Sequence, residues 1–375
     1  MNRLDFRAQL SADWYHAFSI VSNLITIRRV GMQVFDEITA KMLRAHQEHH
    51  FLDGLKKLKL DEEPTDAIRC ARYHALSNAP GGLNMSYGIE SQDKAWVFYN
   101  LPYMPDRWSG TSSLIYGPGY YGANMAGWHS NNGALLGNLG LAFVVTHLVA
   151  RGDPYDGGYF IDTHRELHPS ERIRVSFGER PPTDMEVLRP EFDPVEWPPV
   201  RLAKVKQRFI VDFASAALLW NVRELGPLLS SQIAELTLRS LLFQTWKDLV
   251  DELDLDAPDR RPVEIVGRLF AELHDLAGDK PEVQVSPEAV RVVLGRHWAT
   301  STREWEGRPL PSELRGAFER GWAAFARHVE PTMRVEVDES GTTWRFALGD
   351  GVTSSAEGVG AVDALTGLQI GGFAS

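Results

Sequence analysis

Cysteine is nearly missing from this chain of 375 residues. Cys70 stands alone, which excludes an intramolecular disulfide and any cysteine-rich zinc site. Positive charge is also in deficit. Lysine and arginine number 39 against 50 acids, for a net charge of −11. No basic cluster offsets this, so nucleic acid is not an expected partner, because phosphate binding needs a basic field. Long apolar runs are lacking as well. The most apolar stretch, Gly133 to Ala150, is interrupted by Asn138, Thr146 and His147 and does not read as a membrane span. Met1 to Arg7 carries no signal-peptide core. A cytoplasmic protein without a membrane partner is expected. Nor is there a GxGxxG after a strand, a P-loop or a GxSxG elbow, so neither a nucleotide cofactor nor α/β-hydrolase chemistry is expected.

Tryptophan, by contrast, is abundant, with eleven residues. Several adjoin turn residues or histidine, as in Gly127-Trp128-His129 and His297-Trp298. Aromatics so placed line pockets as well as cores.

The pattern along the chain predicts an α+β fold, with helical segments packed on small antiparallel sheets. Val34, Phe35, Ile38, Met42, Leu43, Phe51, Leu55 and Leu58 recur at helical spacing within residues 3–60. A helix through Ile68, Cys70 and Leu76 ends at Asn78-Ala-Pro80-Gly81-Gly82, a run of breakers. The period then changes. Leu83–Tyr87 and Ala95–Leu101 read as one hairpin, and Leu141–Val149 with Tyr159–His164 as a second, joined by the turn Arg151–Gly157. Ile173–Phe177 adds a further strand. Between the hairpins, residues 102–127 read as an ordered, Gly- and Tyr-rich loop, followed by a short helix over about 128–138.

Residues 181–200 are rich in proline and acid and read as a linker. Residues 201–276 are helical. Hairpins at 282–294 and 333–348 flank a helix over 311–328. The second half thus repeats the order of the first without clear residue identity. The expected organisation is residues 1–180, the linker, residues 201–350 and a Gly/Ala/Ser-rich tail at 351–375. Either the halves pack pseudo-symmetrically or the helical parts form a homodimer interface.

Several residues carry candidate chemistry. Trp128 and His129 are expected to open a helix, whose free amides attract anions. His129 would then be the acid/base, Asn132 and Asn131 would orient a carbonyl or oxyanion, and a plain helix cap is the alternative. His147, by alternation, shares a face with Phe143, Val145 and Val149. His74 lies one turn from Cys70 and from Asn78, which makes a compact polar group with a thiol–imidazole geometry. Trp108, Tyr116 and Tyr121 would close over a substrate. His46, His49 and His50, at i, i+3 and i+4, are a candidate site for a divalent metal, with a solvated helix face as the alternative.

The run from Trp128-His129 through Gly133 and Gly137, the strand Val144-Val-Thr-His147-Leu-Val149, the turn Arg151-Gly152-Asp153-Pro154-Tyr155 and the aromatic strand Tyr159-Phe160 resembles ligand-binding domains of the 4-vinyl reductase-like family. It is also similar to domains of the L-2-amino-thiazoline-4-carboxylate hydrolase type. The resemblance spans residues 83–177 and implies a small-molecule pocket. Those families often place cysteines before the two glycines and after the Gly-Asp turn. Here the corresponding positions lie near His129 and Asp156, so a cysteine mechanism does not carry over. The expected function is a hydrolase or lyase acting on a small organic compound under the 102–127 loop. The alternatives are a non-catalytic binding or sensor protein and an accessory subunit of a catabolic pathway.

Overall fold

Two glycines divide the four longest helices into two matching pairs. The computed structural model describes residues 3–103, 118–302 and 308–349, with backbone only at 118–121. Trp108, Tyr116 and the tail 351–375 therefore lie outside the described residues, as does the side chain of Tyr121. Helices α1 (Arg3–Val30) and α2 (Met32–Lys57) meet at Gly31, and α6 (Pro199–Leu225) and α7 (Pro227–Glu252) meet at Gly226. Both glycines have a positive φ, 84° and 79°, which a side chain would strain.

A shorter helix follows each pair, α3 (Asp66–Asn78) in the first half and α8 (Pro262–Leu276) in the second. Each half then builds a hairpin, a helical crossover and a second hairpin. In the first half these are β1 (Met85–Ile89) and β2 (Lys94–Asn100), then α4 (Pro118–His129) and α5 (Asn132–Leu136), then β3 (Leu141–His147) and β4 (Tyr155–Asp162). In the second they are β7 (Glu282–Val285) and β8 (Ala289–Val293), α9 (Ser312–Val329), then β9 (Met333–Val337) and β10 (Thr343–Leu348). The strands lie in the order β1-β2-β4-β3 in one sheet and β7-β8-β10-β9 in the other, so the halves share one topology. Helices packed on two small, mostly antiparallel sheets make this an α+β fold.

Two short strands extend the first sheet. β5 (Ile173–Val175) pairs in parallel with β3. β6 (Val187–Leu188) comes from the proline-rich stretch and pairs with β1. Farther along that stretch Trp197 is buried under Arg201 and Phe192.

The cores do not follow chain order. One cluster joins α2, α3 and the inner face of the first sheet, through Phe35, Phe51, Ile68, Val97, Phe143 and Phe160. The other joins the second sheet and its helices to α1, whose Leu10, Trp14, Tyr15 and Phe18 recur at one-turn spacing. Tyr15 and Phe18 pack edge-on against Trp298, and the Tyr15 hydroxyl donates to the Leu273 carbonyl at 2.8 Å. In return, Phe209 of α6 lies over the turn at Gly81 in the first half. α1 thus crosses into the second half's core. α6, which belongs to that core through Ile210, Val211, Leu218 and Leu219, also reaches back to the first half, so the two helices exchange contacts across the halves.

Candidate functional site

The exchange of α1 and α6 leaves a cavity of about 240 Å³ beside the first sheet. Its wall is largely apolar and aromatic. Phe35, Ile38, Met42 and Leu43 come from α2, Met125 and Trp128 from α4, and Phe209, Ile210 and Phe213 from α6. α2 and α4 approach closely because Gly127 has no side chain. A Cβ there would sit 2.6 Å from the Ala40 carbonyl oxygen and 3.1 Å from the Leu43 Cβ. Trp128 is stacked on Phe213 with ring centres 5.5 Å apart.

One set of polar groups lies where the sheet meets α4, while His16, Ser19, Asn23, Thr39 and Asn221 line the wall from α1, α2 and α6. Tyr99 of β2 and Asp156 of β4 are register partners, so they project from the same face. His129 is wedged behind Tyr99. Its Nδ1 lies 3.0 Å from the Met125 carbonyl, which can only accept, so Nδ1 carries the proton. Nε2 then accepts from the Tyr99 hydroxyl at 3.1 Å. The Tyr99 oxygen retains only acceptor capacity. Burial holds His129 down at about 3, so it is neutral at ordinary pH. Asp156 accepts from the Val149 N–H at 2.7 Å and from the Tyr103 hydroxyl. Desolvation pushes its carboxyl up to about 6, against those two hydrogen bonds. Asn124 completes this end, and its Oδ1 is buried with no donor among the described residues.

The expected site residues separate on this frame. Trp128 and His129 line the cavity, but they end helix α4 and do not open one. The anion-attracting N-terminus therefore does not exist at this point. Pro118 is the first residue of that helix, so part of the Gly/Tyr-rich stretch expected as a loop is helical. Asn131 donates to Glu48 at 3.2 Å and is not among the lining residues.

His74 and Asn132 lie behind the wall. Asn132 Nδ2 donates to His74 Nε2 at 2.7 Å, and the His74 ring stacks on Phe160 and sits 4.2 Å from the ring of His129. Burial lowers His74 and raises the Cys70 thiol, so a thiolate–imidazole pair is not formed. His147 is a correction with a clear cause. A bulge between Val145 and His147 shifts the register of β3 against β4. His147 consequently packs on Tyr155, which belongs with Trp96 and Phe98 in the cluster on the outer face. Of the three candidate metal ligands, the His46 and His50 rings lie 4.5 Å apart, but His49 does not join them. His46 points inward against Trp128 and Phe213, whereas His49 binds the Ala45 carbonyl of its own helix. No group of three metal-ligating side chains occurs among the described residues.

Asp156 was the most informative residue to miss. It alternates with Gly158 and Phe160 along β4, a signal that places a carboxylate on the buried face. Tyr99 and the α6 aromatics gave no such signal, since their proximity depends on the helix exchange.

The equivalent space in the second half is closed. Trp14, Tyr15, Phe18, Trp298, Phe318 and Trp322 surround a void of about 10 Å³, barely room for one water. Gly321-Trp322 stands where Gly127-Trp128 stands in the first half, with Gly321 against Leu238 as Gly127 is against Leu43. No protein-family model, curated protein or solved structure matches the chain.

Proposed function

We propose that the protein binds a small, largely apolar organic molecule in the cavity between α1, α2, α4, α6 and the first sheet. The observation that carries this reading is the cavity itself. It is a concave space lined mainly by apolar and aromatic side chains with a smaller number of polar groups among them, which is the usual composition of a ligand site. Its size is sufficient, since an apolar cavity of about 150 Å³ holds benzene. The resemblance of residues 83–177 to 4-vinyl reductase-like ligand-binding domains supports the same reading. A sensor or carrier role is favoured over catalysis by His129, because both its ring nitrogens are engaged and its lone pair serves Tyr99.

A second reading, an acid/base enzyme of the hydrolase or lyase type, draws on Asp156. A buried carboxyl with a pKa of about 6 is suited to proton transfer near neutral pH. In that case Asp156, and not His129, would be the proton-transfer group.

Filling the cavity tests the proposal. Ala217 of α6 lines it, and the ring introduced by Ala217→Phe would occupy the space. Indole at ten times its dissociation constant should stabilise the native protein by about 1.4 kcal/mol and raise its melting temperature by about 2 °C. The variant should show no such rise. Equal stabilisation of both proteins by indole would overturn the assignment.

A further inference from the structure

Where the first sheet and α4 meet the cavity, the side chains present several acceptors. Tyr99 has committed its proton to His129, so its oxygen can only accept. Asp156 uses two acceptor positions, on Val149 and Tyr103, and a carboxylate has about four. Asn124 presents a buried oxygen with no donor among the described residues. The charge is one-sided. Asp156 lies within the protein, and none of the described lining residues is lysine or arginine. His129 is neutral. A buried carboxylate without a cation is costly, and a cation brought by a ligand would relieve that cost. The walls suit the same ligand, because Phe35, Trp128 and Phe213 offer ring faces that attract ammonium groups as well as apolar bodies.

We propose that the ligand is a small aromatic or alicyclic amine whose ammonium group is held by Asp156, with Tyr99 and Asn124 accepting its remaining hydrogens and its ring lying among Phe35, Trp128 and Phe213. This inference rests on the small-molecule reading above and narrows it to a chemical class. A carboxylate or phosphate of the same size would meet the charge of Asp156 with no lysine or arginine among the described lining residues, and is expected to bind more weakly.

Three ligands of matched shape separate the possibilities: benzylamine, benzyl alcohol and benzoate, titrated by calorimetry against the whole protein at pH 7.5. Benzylamine should bind at least about tenfold more tightly than benzyl alcohol, as expected for a charged hydrogen bond over a neutral one, and benzoate should not saturate. Asp156→Asn should weaken benzylamine by about tenfold or more and leave benzyl alcohol within about threefold. Benzoate binding as tightly as benzylamine would overturn the amine assignment, as would unchanged benzylamine binding in the variant. The ranking of the three ligands on the native protein decides the matter even if the variant does not fold. Binding of benzyl alcohol or benzoate in preference to benzylamine would refute the amine class and leave the cavity reading intact. Failure of all three to bind would refute both.

Discussion

Gly158→Ala is expected to destabilise the protein by more than about 3 kcal/mol, enough to leave most of it unfolded or insoluble. Gly158 lies in β4, opposite Val97 on one neighbour and Val145 on the other. A Cβ at this position would fall 1.9 Å from the Val144 carbonyl oxygen and 3.1 Å from the Phe143 ring. The obstacle is backbone within a paired strand, so it cannot turn aside as a side chain would. Relief requires β3 and β4 to separate, and that would also move Asp156 and loosen the ring stack of Phe143 on His129. Gly122→Ala is the matched control. It lies in α4 with nothing within 4 Å of its added carbon, and alanine is the better helix former. It should be neutral or mildly stabilising. Urea unfolding followed by circular dichroism compares the two. A midpoint for Gly158→Ala near that of the native protein would show that the sheet accommodates the methyl group.

Mild acid should have the second large effect. Five buried imidazoles are held below their ordinary value by burial: His46, His129, His274 and His297 at about 3, and His74 further by its neighbour His129. The folded state therefore binds fewer protons than the unfolded chain between about pH 3 and pH 6.5. Stability is full above that window and is lost as pH falls through it, by about 1.4 kcal/mol per unit for each group. Buried acids act in the opposite sense. Asp279, pushed up to about 7 by desolvation, and Asp156, pushed up to about 6, hold protons in the fold that the unfolded chain releases. Their contribution grows as pH falls from 7 towards 4. The imidazoles outnumber them, so the net result by pH 5 is a loss of roughly 3 kcal/mol or more. The melting temperature should be flat from pH 8 to 7 and fall steeply below 6.5. His46→Leu should be less acid-sensitive, with about 2 kcal/mol less lost at pH 5. Identical pH profiles for the variant and the native protein would refute the role given to His46.

The elements were largely legible in the sequence, because period changes mark them. Leu83–Tyr87 and Ala95–Leu101 were placed within two residues of β1 and β2, and the second-half hairpins were closer still. The exceptions arose where glycine has two meanings. Gly157 was read as the end of a turn, but β4 begins at Tyr155 and runs through both Gly157 and Gly158. There glycine permits close backbone approach instead of breaking the strand. Gly122 and Gly127 likewise suggested a loop, yet Gly127 lets α4 lie directly on α2. That reassignment moved Trp128-His129 from the start of a helix to its end. The register bulge that turns His147 outward leaves no mark in composition. The cavity itself was out of reach, since its walls come from helices about 190 residues apart that meet only after the exchange between halves.

That exchange also sets a schedule. α1 leaves the ribosome before α6, and well before Leu238 to Phe346, which complete the cluster that buries it. At ordinary elongation rates the interval is on the order of tens of seconds. Throughout it Leu10, Trp14, Tyr15 and Phe18 lack part of their native surface, so the nascent chain carries an adhesive segment until the second half has followed. Slow translation of the second half prolongs that exposure, and holding chaperones that mask α1 would protect the chain.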